Sequence, residues 1–139
     1  MLLAALGSGA GARPHVLLVE DHADTRLMYA EYLRPDYETS EAGDGIAALE
    51  IIRQGLPDII VTDLALPRMD GFELIARLRA DERLRSIPVI ALSGYSGPEL
   101  DARVKAAGPS VVIQKPCLPE TLVQELRNQL KGRTEQGPR

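Results

Sequence analysis

Asp58-Ile59-Ile60-Val61-Thr62-Asp63 is apolar between its two acids. Continuous burial of that kind marks a central parallel strand with helices covering both of its faces. Working outward, Val16-Leu17-Leu18-Val19 runs into Glu20-Asp21, Val89-Ile90-Ala91-Leu92 into Ser93, and Val111-Val112-Ile113-Gln114 into Lys115. A fifth segment, residues 37–42, is the most polar of the set and suits a strand at the sheet edge.

Helical spacing fills the gaps between these runs. Asp24 can cap a helix over residues 24–33, where Leu27, Ala30 and Leu33 recur, and Pro35 stops it. Asp44-Gly45 opens a second helix through about residue 54, with Ile46, Leu49 and Ile52 on one stripe and Gly55 at its exit. Asp70 offers a cap for a third helix over residues 71–80, carrying Phe72, Ile75 and Leu78. A fourth, over residues 98–107, ends at Gly108-Pro109, and Pro119 suits the first turn of a fifth built on Leu122, Leu126 and Leu130. Five alternating strand–helix units with short right-handed connections give an α/β fold: one doubly wound, five-stranded parallel sheet with five helices. The edge character of the second strand predicts the order 2-1-3-4-5, with the switch point between strands one and three.

The 139 residues suit one domain, 45% hydrophobic and 26% charged, with a formal net charge of −4. No apolar run approaches the ~20 residues of a membrane helix, and no Lys/Arg cluster suits a phosphate backbone. The expectation is a protein that neither spans a membrane nor binds nucleic acid directly. Lone Cys117 rules out a disulfide framework, fits a reducing cytoplasm and reads as a small buried hydrophobe. Residues 1–13 lack the positive start of a secretion signal and read as a flexible arm, linker remnant or scar. Residues 14–130 form the expected folded unit, and polar residues 131–139 its disordered tail.

In that topology Glu20, Asp21, Asp63, Ser93 and Lys115 meet at the carboxyl edge of the sheet, where open α/β sheets bind ligands. One such acid alone is most simply a solvated loop residue. Three together are different, because two like charges ~4 Å apart repel by about 4 kcal/mol at an effective dielectric near 20. Lys115 offsets one of the three, so the balance calls for a divalent cation with oxygen ligands, Mg²⁺ by choice. An Asp on a metal, beside a Lys and a hydroxyl, is equipped to receive a phosphoryl group.

Over about residues 16–130 the chain resembles the receiver domains of two-component response regulators, a CheY-like fold. Glu20-Asp21 is similar to the family's acidic pair. Thr62-Asp63-Leu64-Ala65-Leu66-Pro67-Arg68-Met69-Asp70-Gly71 is similar to its phosphoacceptor segment, Ser93-Gly94 to its switch hydroxyl and small follower, and Lys115-Pro116 to its Lys-Pro pair. The resemblance implies that Asp63 accepts a phosphoryl group from a phosphohistidine on a sensor histidine kinase or histidine phosphotransfer protein. Asp21, Asp63 and the backbone carbonyl of Ala65 would hold Mg²⁺ or Mn²⁺, and Glu20 its waters. Ser93 and Lys115 would bind the phosphoryl oxygens, and the peptide bond before Pro116 would be cis. It further implies a cytoplasmic signalling domain in a phosphorelay, not an enzyme beyond its own phosphorylation and dephosphorylation. A homodimer could form through the fourth helix, fifth strand and fifth helix.

Two positions depart from the family. Val112 stands where many members carry an aromatic that turns inward when the switch hydroxyl moves, and valine has no ring to rotate. Output is then expected to rest on residues 95–104, or on Tyr95 in the aromatic role. Cys117 replaces a bulky apolar residue.

Rival functions fit less well. A haloacid-dehalogenase-type hydrolase needs a second Asp at position 65, which is Ala65, and a flavin site needs a phosphate loop that Asp21-His22-Ala23-Asp24 would repel. A phosphorylation-independent interaction module would lack Asp63, Lys115 or the acidic pair, and none is missing. His22 reads as a neutral surface residue, His15 as the start of a strand, and Arg77, Arg79, Arg83 and Arg85 as a solvated helix face. The chain is either a stand-alone regulator or the receiver segment of a larger hybrid kinase, which the arm slightly favours.

Overall fold

The structure, a computed structural model, describes residues 13–136, with side chains through residue 132. The strands are β1 (His15–Val19), β2 (Glu38–Ala42), β3 (Ile59–Asp63), β4 (Val89–Ser93) and β5 (Val111–Gln114). They alternate with α1 (Ala23–Leu33), α2 (Gly45–Gln54), α3 (Gly71–Ala80), α4 (Pro98–Ala107) and α5 (Pro119–Gln136). All pairings are parallel, in the order β2-β1-β3-β4-β5, as expected from the polar second strand and the apolar third.

The period of two along each strand divides the core into two layers. Leu17, Val19, Ile60, Val89 and Ala91 face Ala48 and Ile52 of α2, Leu74, Ile75 and Leu78 of α3, and Ala107 of α4. Val16, Leu18, Ile59, Val61, Ile90 and Leu92 face Tyr29, Ala30 and Leu33 of α1, and Leu122 and Leu126 of α5. β3 and β4 are buried along their whole length, whereas β5, at the far edge, is only half-buried.

Several local expectations are corrected. Asp24 does not cap α1: His22, in extended conformation, precedes the helix and Asp24 lies in its first turn. The helix starts early because the His22 backbone N–H is bound by Glu20 Oε2, so the chain turns directly after β1, and the His22 carbonyl accepts the first helical bond from Arg26. Leu27 and Ile46 are exposed, and Tyr29 and Ala48 take the buried stripes instead. The expected tail is helical through Gln136, because one interior glycine, Gly132, costs a helix only about 1 kcal/mol. Residues 137–139, and all of the expected arm except Arg13, lie outside the described residues.

Asp44 and Asp70 cap α2 and α3 through bonds from Ala47 N (2.8 Å) and Glu73 N (2.9 Å). The glycine after each cap has a steric reason. A Cβ on Gly71 would stand 2.3 Å from the Asp63 carbonyl oxygen and 2.7 Å from Leu64 Cα, and one on Gly45 would stand 2.7 Å from the Met69 carbonyl oxygen. Both helix starts therefore press on the loop that follows β3. Arg68, at the tip of that loop, has φ 64°, a left-handed conformation that a non-glycine residue adopts only when held there. Its guanidinium ion-pairs with Asp44.

Candidate phosphoacceptor site

Register brings the polar groups together. Val19 pairs with Thr62, so Glu20 and Asp63 are the next residues on adjacent strands, and Ser93 and Lys115 follow on β4 and after β5. The Lys115 backbone N–H donates to the Ser93 carbonyl at 2.7 Å, which fixes where the lysine leaves the sheet. The Lys115–Pro116 peptide bond is cis.

Asp63 is buried at the end of the central strand. Its Oδ1 accepts from the Ala65 backbone N–H at 3.0 Å, and its Oδ2 is held by the Lys115 ammonium. Glu20 is 1% exposed. Its Oε2 accepts from the His22 backbone N–H (3.0 Å) and lies 3.1 Å from His22 Nδ1. Glu20 Oε1 is buried without a hydrogen-bond partner, and the Lys115 ammonium stands 3.6 Å from it. One cation thus serves two buried carboxylates. Burial alone would push the Lys115 pKa down, but the hydrogen bond and charge of Asp63, with Glu20 behind them, outweigh it and hold the pKa above its ordinary value.

The donor set suits a divalent cation. Glu20, Asp21 and His22 each place one ligand atom within 4.8 Å of the others, and the partnerless Glu20 oxygen is a buried acceptor in want of a donor or an ion. The carboxylates are hard oxygen donors of the kind Mg²⁺ takes. Asp63 joins this group through Lys115, the ammonium that both it and Glu20 face.

Ser93 stands differently. Its buried hydroxyl accepts from Tyr95 N at 3.0 Å and donates to Tyr95 O at 3.2 Å, closing a local turn instead of meeting Asp63. At Gly94 a Cβ would meet nothing within 4 Å, so no packing contact explains its small size. Tyr95 is 59% exposed, while Val112 packs, half-buried, on the layer shared with α2, α3 and α4.

Three further positions frame the site: His22, expected only as a neutral surface residue, and Arg26 and Tyr29, which the sequence does not single out. His22 is exposed yet lies 3.4 Å from Asp21 as well as against Glu20. Arg26 donates to the Glu20 backbone carbonyl at 2.7 Å and pairs with Glu41, which pins the acidic turn to β2. The Tyr29 hydroxyl donates to the Cys117 carbonyl at 2.5 Å, tying α1 to the segment after Lys115. Spacing along one helix face hints at Arg26 alone, six residues from Glu20. The other two depend on where the helix starts.

Two buried carboxylates sharing one lysine at the carboxyl edge of a 2-1-3-4-5 sheet have known counterparts. Residues 16–127 match the family described as response regulator receiver domain. The chain belongs to that family. The receiver is 36% identical over 116 residues to hybrid signal transduction histidine kinase D of Dictyostelium discoideum, covering 84% of this chain and 8% of that protein. It is 30% identical over 116 residues to the polar-differentiation response regulator DivK of Brucella ovis, covering 83% of this chain and 94% of that one. Among solved structures it resembles the chemotaxis response regulator CheY4 of Vibrio cholerae, with a TM-score of 0.78, 31% identity and coverage of 84% and 98%. The receiver therefore spans a small fraction of the kinase and nearly all of the free-standing regulators. Its fold and its phosphoacceptor role in two-component signalling follow from this membership. No described helix is long and apolar enough to cross a membrane.

Proposed function

We propose that Asp63 is the phosphoacceptor, taking its phosphoryl group from a phosphohistidine on a sensor kinase or phosphotransfer protein in the cytoplasm. The observation that carries this is the Asp63 carboxylate, buried at the end of β3 and gripped from two sides by Lys115 and the Ala65 N–H. In the transfer an Asp63 oxygen forms a P–O bond while the P–N bond breaks, and the donor imidazole leaves with that electron pair. Asp21, Asp63 and the Ala65 carbonyl would hold Mg²⁺, with Mn²⁺ as substitute, and Glu20 would hold its waters. Bound there, the cation neutralises charge on the phosphoryl oxygens.

Lys115 moves from the free carboxylate to a phosphoryl oxygen. Ser93 must give up its turn with Tyr95 to reach another phosphoryl oxygen, which draws residues 94–97 inward. Val112 supplies no ring to follow that movement, so Tyr95, exposed on the same loop, carries the change to partners on α4, β5 and α5. Residues 14–130 suffice for these steps, and no other substrate is turned over.

The donor docks on α1. That helix begins at the acidic turn, and Leu27, Met28 and Tyr32 are exposed along it, an apolar strip beside the site.

Intact mass measurement after incubation with acetyl phosphate and Mg²⁺ tests the assignment. The chain is expected to gain one phosphate and Asp63→Asn none; equal labelling of both would defeat it. Alanine at Leu27, Met28 and Tyr32 together is expected to slow transfer from a histidine-phosphorylated donor while leaving labelling by acetyl phosphate unchanged.

A further inference from the structure

At the opposite end of the sheet, beneath the starts of β4 and β5, lies a cavity of about 370 Å³ between the end of α3 and the last turns of α5. We propose that it binds a small phosphate-type oxyanion, either inorganic phosphate or a phosphomonoester.

Among the described residues the lining carries two guanidinium groups, Arg79 and Arg85, and no carboxylate. Arg79 is half-buried. It donates to the backbone carbonyls of Gly108 (2.7 Å), Ile87 (2.8 Å) and Arg85 (3.0 Å), and its Nη2 lies 3.5 Å from Ser110 Oγ. These acceptors are neutral, so its hydrogen bonds are satisfied while its charge is not. Burial lowers the pKa of Arg79. The neighbouring arginines differ, since Arg77 pairs with Glu73 and Arg83 with Asp81. Arg85 is exposed at the rim, and among the described residues its side chain has no partner.

Neutral donors complete the set. Ser110 Oγ accepts the Val89 N–H at 3.0 Å, which leaves its own proton free to donate. Asn128 accepts from Gln124, which leaves its NH₂ group available, and Ser86 adds a second hydroxyl. The free fork of Arg85, the uncompensated charge of Arg79 and several neutral donors match a tetrahedral oxyanion, and the volume admits the first atoms of an ester group. The three carboxylates at the carboxyl edge call for a cation by the same charge argument.

The test is an amide chemical-shift titration of the full chain without divalent cation, using inorganic phosphate, glycerol 3-phosphate and, for ionic strength, chloride. Saturable shifts at Ser86, Ser110 and Gly132 with either phosphate and not with chloride are expected. The tighter of the two ligands identifies the source. Because Arg79 also ties backbone together and its variants can unfold, the reporter is Arg85→Gln, expected to bind about tenfold more weakly with an unchanged spectrum elsewhere. Shifts confined to the Asp63 and Lys115 region, shifts equal in chloride, or equal affinity in Arg85→Gln would each overturn the proposal.

Discussion

The two ends of this sheet solve opposite electrostatic problems. At the carboxyl edge, buried Glu20 and Asp63 share one ammonium, and one Glu20 oxygen has no hydrogen-bond donor at all. At the amino edge Arg79 holds four oxygens on two separate segments, residues 85–87 and 108–110, yet among the described residues it has no counter-charge. The first arrangement leaves bonding capacity open and stores repulsion, as a site awaiting a ligand must. The second uses its bonding capacity to join α3 to the segments that lead into β4 and β5. Charge imbalance thus marks a ligand site at both ends, and the count of satisfied hydrogen bonds shows which charged group, Arg79, is a structural tie as well.

The largest effect separating the two ends is expected from Arg79→Met. It keeps most of the stem but strands two backbone carbonyls in partly buried positions and a third, that of Arg85, at the surface, and at roughly 1 kcal/mol each the loss is about 2–3 kcal/mol. Urea unfolding is the measurement. A loss under about 1 kcal/mol would mean that water replaces the guanidinium and that the amino edge is no clamp.

Next comes Gly71→Ala, which acts on the carboxyl edge from below. The added Cβ would meet the Asp63 carbonyl oxygen and Leu64 Cα, both backbone, so β3 or α3 must shift, at a cost of about 2 kcal/mol. Because the displaced oxygen belongs to Asp63, labelling by acetyl phosphate should slow together with the loss of stability. Normal labelling in a destabilised variant would uncouple packing from site geometry.

A smaller and pH-dependent effect belongs to Asp44, which caps α2 and pairs with Arg68. The Ala47 backbone N–H, first, and the Arg68 guanidinium, second, hold its pKa below the usual carboxylate value. A carboxyl depressed in the folded state stabilises fully above its unfolded value, and that stability fades as pH falls through the folded one. The stability difference between wild type and Asp44→Ala, about 1 kcal/mol near neutrality, should therefore shrink below about pH 4. A difference that grows with acid would reverse the sign of the argument.

How much of this was legible in the chain follows from the range of each interaction. β3 and β4 announced themselves because full burial writes itself into consecutive residues, and Asp44 and Asp70 because a cap acts over three. The carboxyl-edge set was legible for the same reason, each member ending a strand that could be found independently. The start of α1 was misplaced by two residues because the decisive bond runs from the Glu20 side chain back to the His22 N–H. The amino edge was misread entirely: Arg79 passed as part of a solvated basic face, although its partners lie 6 to 31 residues away. Nothing in local spacing distinguishes it from Arg77, two positions earlier and paired on the surface.

The smallest effect is the most diagnostic. Asp63→Asn removes one of two buried carboxylates facing Lys115, so the variant loses one ion pair while Glu20 gains sole use of the ammonium and loses a like-charged neighbour. Lys115 is about a third exposed and screened accordingly, so the lost pair is modest, whereas the repulsion relieved lies between buried groups. The net change should be a stabilisation of up to about 1 kcal/mol in the absence of divalent cation. Mg²⁺ should then raise the melting temperature of the wild type more than that of the variant, because the variant has one ligand fewer and less repulsion to relieve. Arg79→Met should respond to Mg²⁺ as the wild type does, displaced downward by a constant amount. If instead Asp63→Asn were destabilised and equally responsive to the cation, the carboxyl edge would be a structural ion-pair network like any other, and the contrast between the two ends of the sheet would disappear.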